Sequence, residues 1–387
     1  LAVAEGEGAC RRLGSVVDAG LSARGKLDIV REIEAGPSSE TPGPWFGFVG
    51  DAVAPDDPLW ITHIEDVAKC PFNSFIGRRL GVRPLPDPHL GLPDPNALLV
   101  GSVVHEVLEH IVTGGVRRER VTFQQAASAE PTAVAWPSNQ RLEEMLANAV
   151  ERVVDREGLG GFGLKGLLKA AARPVLEVAR RVEWPEGMLH GVLAAETEGF
   201  VTSERTGRRI GFRADRLDED ARATDYKSGK PVSDLKTPKG RRNHLAERVA
   251  KGRLLQAVAY ALGAPAADGT GRYVFLKPSI GNAPEEARVA EVSVADEDLC
   301  SAFRVAVDVV EASLEAGTVF PRVTEAQSDK AARHCDYCPV VEACRCDDTT
   351  FKLRLKNVME NDEDSDHDAL EAARALWWLG VTPKEES

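Results

Sequence analysis

The run ATDYKSGKPV at residues 223–232 places an acid and a lysine two positions apart, Asp225 and Lys227, just before the chain breaks at Gly229 and Pro231. On an extended strand side chains alternate faces, so Asp225 and Lys227 project together and Tyr226 projects away. Upstream, Asp215 sits near the end of a second alternating run, and Glu196 and Glu198 share one face of the run before it. Neighbouring strands lie about 4.8 Å apart, so carboxylates at their ends can meet on one divalent ion. Hard oxygen donors suit Mg²⁺ or Mn²⁺. A lysine beside the bound water could orient that water or stabilise charge building on a phosphoryl group. The ordinary alternative is a solvated ion pair at a strand edge.

Two further clusters carry chemistry. From Lys227 to Arg253 there are nine Lys or Arg against Asp234 and Glu247. That is either a phosphate-binding surface or a solvated helix face. Of seven cysteines, four crowd into residues 335–346 as Cys335-x2-Cys338-x5-Cys344 followed by Cys346. A disulfide framework would be spread more evenly and accompany a secretion signal, so a reducing compartment with a metal or cluster site fits better.

The elements that must position these residues are legible in outline. THIEDVAK offers Thr62 as an N-cap three residues before Glu65. Val104, Leu108, Ile111 and Val112 form an apolar stripe of helical period in GSVVHEVLEHIVTGG, closed by Gly114 and Gly115. Residues 138–184 read as helical with a break at GLGGFGLKG. AAETEGFVTSERTGRRIGFRADRLDED reads as two antiparallel strands around Thr206-Gly207, followed by a third strand at 222–227. RLLQAVAYALGA (253–264) reads as a helix and GRYVFLKP (271–278) as a strand. DEDLCSAFRVAVDVVEASLEAG reads as a long amphipathic helix stopping at Gly317. The order implies an α/β or α+β domain with helical decoration.

Composition bounds the rest. The chain has 387 residues, 43% hydrophobic content and a net charge of −13, which argues against nonspecific coating of nucleic acid by the whole molecule. No run is long enough to span a bilayer and no secretory signal is visible, so a cytoplasmic protein is expected. The first residue is leucine, which leads us to expect a processed chain or part of a longer polypeptide. Residues 1–58, with a Pro-rich loop-like stretch at 37–44, read as a linker or extended segment; 59–346 as the main domain; and 347–387 as an acidic tail with a short helix. A second Pro-rich loop is expected at 83–95.

Four motifs in order resemble the RecB/AddB branch of the PD-(D/E)XK nuclease superfamily. They are Gly101-Ser-Val-Val-His105-Glu-Val-Leu108, Gly211-Phe-Arg-Ala-Asp215, Asp225-Tyr-Lys-Ser-Gly229 and Gln256-Ala-Val-Ala-Tyr260. The second carries one residue more than the family's usual spacing. The resemblance implies a restriction-endonuclease-like α/β fold, a mixed sheet flanked by helices, with helical insertions and an iron–sulfur staple. It implies that His105, Asp215, Asp225 and the Tyr226 carbonyl hold Mg²⁺ or Mn²⁺, that Lys227 is the catalytic lysine, and that Gln256 and Tyr260 support the site or touch DNA. Glu196 is favoured over Glu198 as the acid from the first strand. Lys230, Lys239, Arg241 and Arg242 are the expected phosphate contacts.

Cys70 in a C-P-F context, with Cys335, Cys338 and Cys344, resembles the arrangement that carries a 4Fe–4S cluster in AddB-type and related CRISPR-associated nucleases. Clusters of this kind are held by four thiolates. Zinc is the alternative, with Cys344 and Cys346 closing the site. Cys346 then lies beside the cluster, and Cys10 and Cys300 read as ordinary cysteines. The resemblance implies DNA end processing in recombination, repair or phage defence. It implies exonucleolytic rather than endonucleolytic cleavage in a nucleoid-associated protein. A helicase motor is expected as a partner or as a domain of the same polypeptide, since no G-x-x-x-x-G-K-[ST] loop occurs in this sequence. A non-catalytic DNA-binding scaffold subunit and a stand-alone CRISPR-adaptation nuclease are the alternatives. Trp377 and Trp378 are expected to pack on their own domain rather than on a partner.

Overall fold

A computed structural model describes residues 36–37, 43–50, 58–82, 95–114, 121–264, 268–328, 330–361 and 367–381. Cys10, most of the proposed N-terminal linker, the Pro-rich loop and Gly115 lie outside the described residues. The rest forms two compact units. One holds residues 87–249 and 254–304; the other gathers the described residues before 87, 250–253 and those from 305 onward.

The first unit is built on a mixed sheet. Its strands are β1 (Thr132–Val134), β2 (His190–Thr202), β3 (Arg209–Asp218), β4 (Arg222–Lys227), β5 (Thr270–Phe275) and β6 (Val289–Ser293), in that spatial order. Strands β2 and β3 form the long hairpin read from the sequence, turning at Gly207 with φ 71°. Only β4 and β5 run parallel, with Asp225 beside Tyr273 and Lys227 beside Phe275. Antiparallel neighbours need only a tight turn, whereas a parallel pair needs a crossover. Residues 228–269 supply it.

That crossover contains α4 (Pro238–Ala250) and α5 (Gln256–Gly263), while α1 (Ala97–Val112), α2 (Asn139–Arg156) and α3 (Lys165–Glu183) precede the hairpin. Asn96 caps α1 by accepting from the N–H groups of Leu98 and Leu99, and Gly114 with φ 66° closes it. The apolar stripes of α1, α2 and α3 merge into one core with Tyr226, Val274 and Leu276 from the sheet. Helix α5 packs close to β5 because Gly271 has no side chain: a Cβ there would stand 1.9 Å from the Ala257 carbonyl oxygen.

Two readings are revised, and the basic stretch takes a definite form. The basic stretch contains helix α4, entered through Pro238, with Leu245 and Val249 buried. β6 is a strand that the sequence reading passed over, although VAEVS is nearly alternating. Thr62 lies inside the helix Ile61–Lys69, which starts after Trp60 with no side-chain cap.

In the second unit, helices Thr349–Glu360 and Asp368–Trp377 pack together, with Trp377 fully buried. The Trp377 ring lies 6.2 Å from that of Phe320. Its carbonyl accepts from buried Arg322, which also donates to the Ala68 carbonyl. The tail's aromatic anchor is therefore spent inside its own unit.

Candidate active site

β3 and β4 are hydrogen-bonded through Arg216/Thr224 and Leu217/Ala223, and the ladder then stops. At that point the Asp215 carboxylate replaces the missing carbonyl, accepting the Tyr226 N–H at 2.7 Å. Asp215 and Asp225 are thus drawn to one strand end. His105 reaches them from α1, its Nδ1 3.4 Å from Asp215 Oδ1. The approach depends on Gly101, one turn earlier, where a Cβ would sit 3.3 Å from Ser228 Oγ. The glycine of the helix motif and the serine of the strand motif meet.

Lys227 lies on the same face as Asp225, as alternation requires, with Nζ 2.9 Å from Asp225 Oδ2. The same ammonium donates to Gln256 Oε1 at 2.6 Å and lies 5.5 Å from the centre of the Tyr273 ring. Tyr260, one turn beyond Gln256, donates to the Arg213 carbonyl at 2.6 Å and stands 3.4 Å from Asp225 Oδ1. Gln256 and Tyr260 are buried and bonded to the lysine and acid themselves, which is a supporting arrangement rather than an exposed DNA contact.

The two candidate acids of β2 share Arg213, which lies 3.0 Å from Glu198 and 3.8 Å from Glu196, and differ in backbone and surroundings. Glu196 stands in β2 with φ 49°, a conformation that non-glycine residues adopt only when the surroundings force it. Burial, then Asp215, then Glu109 push its carboxyl up to about 7. Asp215, with Asp225 and Glu196, lifts the His105 imidazole to about 9 despite burial. Burial opposes ionisation of Asp215, but His105 and the Tyr226 N–H hold it below the usual carboxylate range. Burial raises Asp225, and Lys227 pulls it back.

Behind the strand, Tyr226 points the other way into a buried ionic network. Arg216 donates to its hydroxyl at 2.7 Å and to Glu183 at 2.7 Å, and sits 2.8 Å from Asp218. Arg272 donates to the same Glu183 oxygen at 2.6 Å and to Thr224 at 2.8 Å. Sequence reading missed this network, Glu109 and Tyr273. The alternation Asp215-Arg216-Leu217-Asp218 was the available signal for part of it, since a second charged pair on one face of a buried strand requires partners.

Among the expected phosphate contacts, Lys230 and Lys239 are exposed. Arg242 is ion-paired with Asp296 at 2.6 Å, and Arg241 donates to the Leu235 and Lys236 carbonyls of the chain entering its own helix. Beside them an open groove of about 380 Å³ runs between α4 and β6, lined by Lys239, Arg241, Leu245 and Val289. Val289 pairs with Val274 and Val274 with Tyr226, so the groove opens at the Lys227 end of the sheet.

A family model described as the PD-(D/E)XK nuclease superfamily matches residues 59–345. The chain belongs to the PD-(D/E)XK nuclease superfamily. Members of this superfamily are generally metal-dependent nucleases, and the mixed sheet flanked by helices is consistent with it. Comparison with curated proteins finds no match. No described helix is long and apolar enough to cross a membrane.

In the second unit, Cys70, Cys335, Cys338, Cys344 and Cys346 line one cavity of about 10 Å³ together with His334. Backbone N–H groups of Asn73, Arg322 and Phe72 point at the Cys70 sulfur, and that of Cys346 at Cys344. Burial, then the neighbouring cysteines, push Cys335 and Cys344 up to about 12. Among the described residues no group of three or more His, Cys, Asp or Glu side chains is already arranged to hold a metal ion. At the strand end the carboxylates are engaged by Lys227, His105 and a backbone N–H. At the cysteines the space holds about one water.

Proposed function

We propose that this chain hydrolyses phosphodiester bonds in DNA with the help of Mg²⁺ or Mn²⁺ at the end of β3 and β4. The observation that carries this reading is Lys227. A single ammonium is held by Gln256 and by Asp225, facing an acid cluster at a strand terminus. His105, Asp215, Asp225 and the Tyr226 carbonyl would hold the ion, with Glu196 beside them. The donor set of carboxylates and carbonyl with one imidazole suits a hard dication, and the crowding that raises Glu196 is the kind a cation relieves. When bound, such an ion supplies a polarised phosphoryl oxygen and an activated water.

The protein's own part is specific. Lys227 presents a proton-rich, positive tip where charge develops on the phosphoryl group, and its two partners keep it from swinging away. Tyr260 holds Asp225, and His105 orients Asp215. Lys230 and Lys239 would meet backbone phosphates near the groove; Arg241 and Arg242 shape helix α4, which carries Lys239. Among RecB/AddB relatives this implies exonucleolytic DNA end processing beside a helicase motor, in a nucleoid-associated setting, with residues 59–346 as the nuclease module.

We further propose a 4Fe–4S cluster on Cys70, Cys335, Cys338 and Cys344. Soft thiols converge from two distant segments; burial raises the Cys70 thiol, and the N–H groups aimed at its sulfur act against that rise and could equally donate to a bound thiolate. The thiols would have to turn outward to admit it.

The deciding experiment incubates labelled single-stranded and duplex DNA with the wild type and with Lys227→Ala, in Mg²⁺, Mn²⁺ or EDTA. Metal-dependent cleavage that falls about 10²–10³-fold in the variant is the expected result. Retained DNA binding with no cleavage under any metal would instead identify a scaffold subunit.

A further inference from the structure

The cavity ringed by five thiols holds two groups that a four-thiolate cluster does not call for, Cys346 and an imidazole. His334 precedes Cys335 and lines the same cavity, yet both of its ring nitrogens are buried and neither has a hydrogen-bond partner among the described residues. An imidazole carries at least one N–H in every protonation state, so one donor is withheld from water with nothing to receive it. The cavity has room for about one water, and sulfur atoms surround it. An acceptor is missing beside a cavity whose wall carries five cysteine sulfurs, with Asn73 as its other polar uncharged side chain.

On the cluster reading above, we propose that His334 is a hydrogen-bond donor to a sulfur of the bound iron–sulfur cluster, and so sets its reduction potential. Hydrogen bonds to cluster sulfurs are among the features that fix such potentials. They stabilise the extra negative charge of the reduced form, and His334 therefore raises the potential. No bond to iron is formed by this residue and no proton is transferred; it acts through the ligand sphere. Cys346 fits the same picture from the other side: its backbone N–H already points at the Cys344 sulfur.

The test uses the whole chain purified without air. Iron and acid-labile sulfide are measured first on the wild type, which decides the cluster reading separately. A wild type with no iron overturns that reading and this inference with it. With iron present, reductive titration followed by visible absorbance and electron paramagnetic resonance compares wild type, His334→Gln and His334→Leu. The expected result is a full iron complement in all three, a more negative potential in His334→Leu, and partial return in His334→Gln, which keeps a donor. An unchanged potential in an iron-loaded His334→Leu overturns the inference alone.

If His334→Leu fails to load iron, the wild type labelled with ¹⁵N-histidine decides. A weak nitrogen coupling to the reduced cluster, accompanied by an exchangeable-proton coupling that is lost in D₂O, supports the donor role. No coupling, or one strong enough for direct ligation to iron, overturns it.

Discussion

At the scale of single residues, Glu196 is the most informative side chain. Its backbone is strained and its carboxyl is raised from 4.5 to about 7, with burial and two acidic neighbours as causes. A raised acid favours the protonated form in the folded state. The penalty for ionising it is therefore absent below about pH 4.5, grows between there and pH 7, and is complete above. In EDTA, Glu196→Gln should be more stable than wild type above pH 7, by on the order of 2 kcal/mol, with no gain near pH 4.5. Denaturant melts at the two pH values check this. Cleavage should fall in the same variant, and equal stability at both pH values would count against the site. His105 works in the opposite sense. Its folded pKa of about 9 lies above the ordinary 6.5, so the stability it lends through Asp215 is full below pH 6.5 and fades as pH rises through 9. His105→Gln should accordingly destabilise more at pH 6 than at pH 10, again measured in EDTA. Gln256→Leu leaves the lysine with one fewer anchor. A drop in kcat of about 10- to 100-fold with KM little changed is expected, from the loss of a hydrogen bond to a charged group.

At the scale of elements, the site is a meeting of strand ends with one helix, and the sequence disclosed the strands better than the helix contacts. Asp215, Asp225, Lys227 and the turn at Gly207 follow from period-two alternation, which needs only local residues. Gln256 and Tyr260 could be placed on one helical face, yet whether that face met DNA or the lysine depended on a crossover that no local pattern encodes. The ionic network behind Tyr226 was hidden for the same reason: Glu183, Arg216 and Arg272 come from three separate elements. The charge run did not disclose the partners of Arg241 and Arg242, which are Asp296 from a distant segment and two carbonyls of the chain entering the same helix. Neutralising Lys230 and Lys239 should weaken binding to all DNA sequences alike and flatten its salt dependence. A sequence-selective loss would contradict that assignment. The contact between α1 and β4 is equally testable. Gly101→Leu would push a branched side chain at Ser228 and displace His105 from Asp215. Cleavage should fall while the far-ultraviolet dichroism stays close to wild type.

At the scale of the whole molecule, the thiols of Cys70 and Cys335–Cys346 come from distant parts of the chain into one unit. Closing so long a loop carries a large entropic penalty in the unfolded chain, so whatever holds these thiols should matter for folding. Cys338→Ala is expected to lose brown absorbance and much of the soluble yield; a variant that keeps full colour would remove Cys338 from the ligand set. The parallel pairing of β4 with β5 has a consequence in time. Lys227 leaves the ribosome before Gln256, which lies within the crossover, and before the ring of Tyr273, which lies just beyond it. Parallel pairs across long connections also close slowly. A nascent or truncated chain therefore carries the acid and the lysine without the clamp that aims them until the crossover has docked.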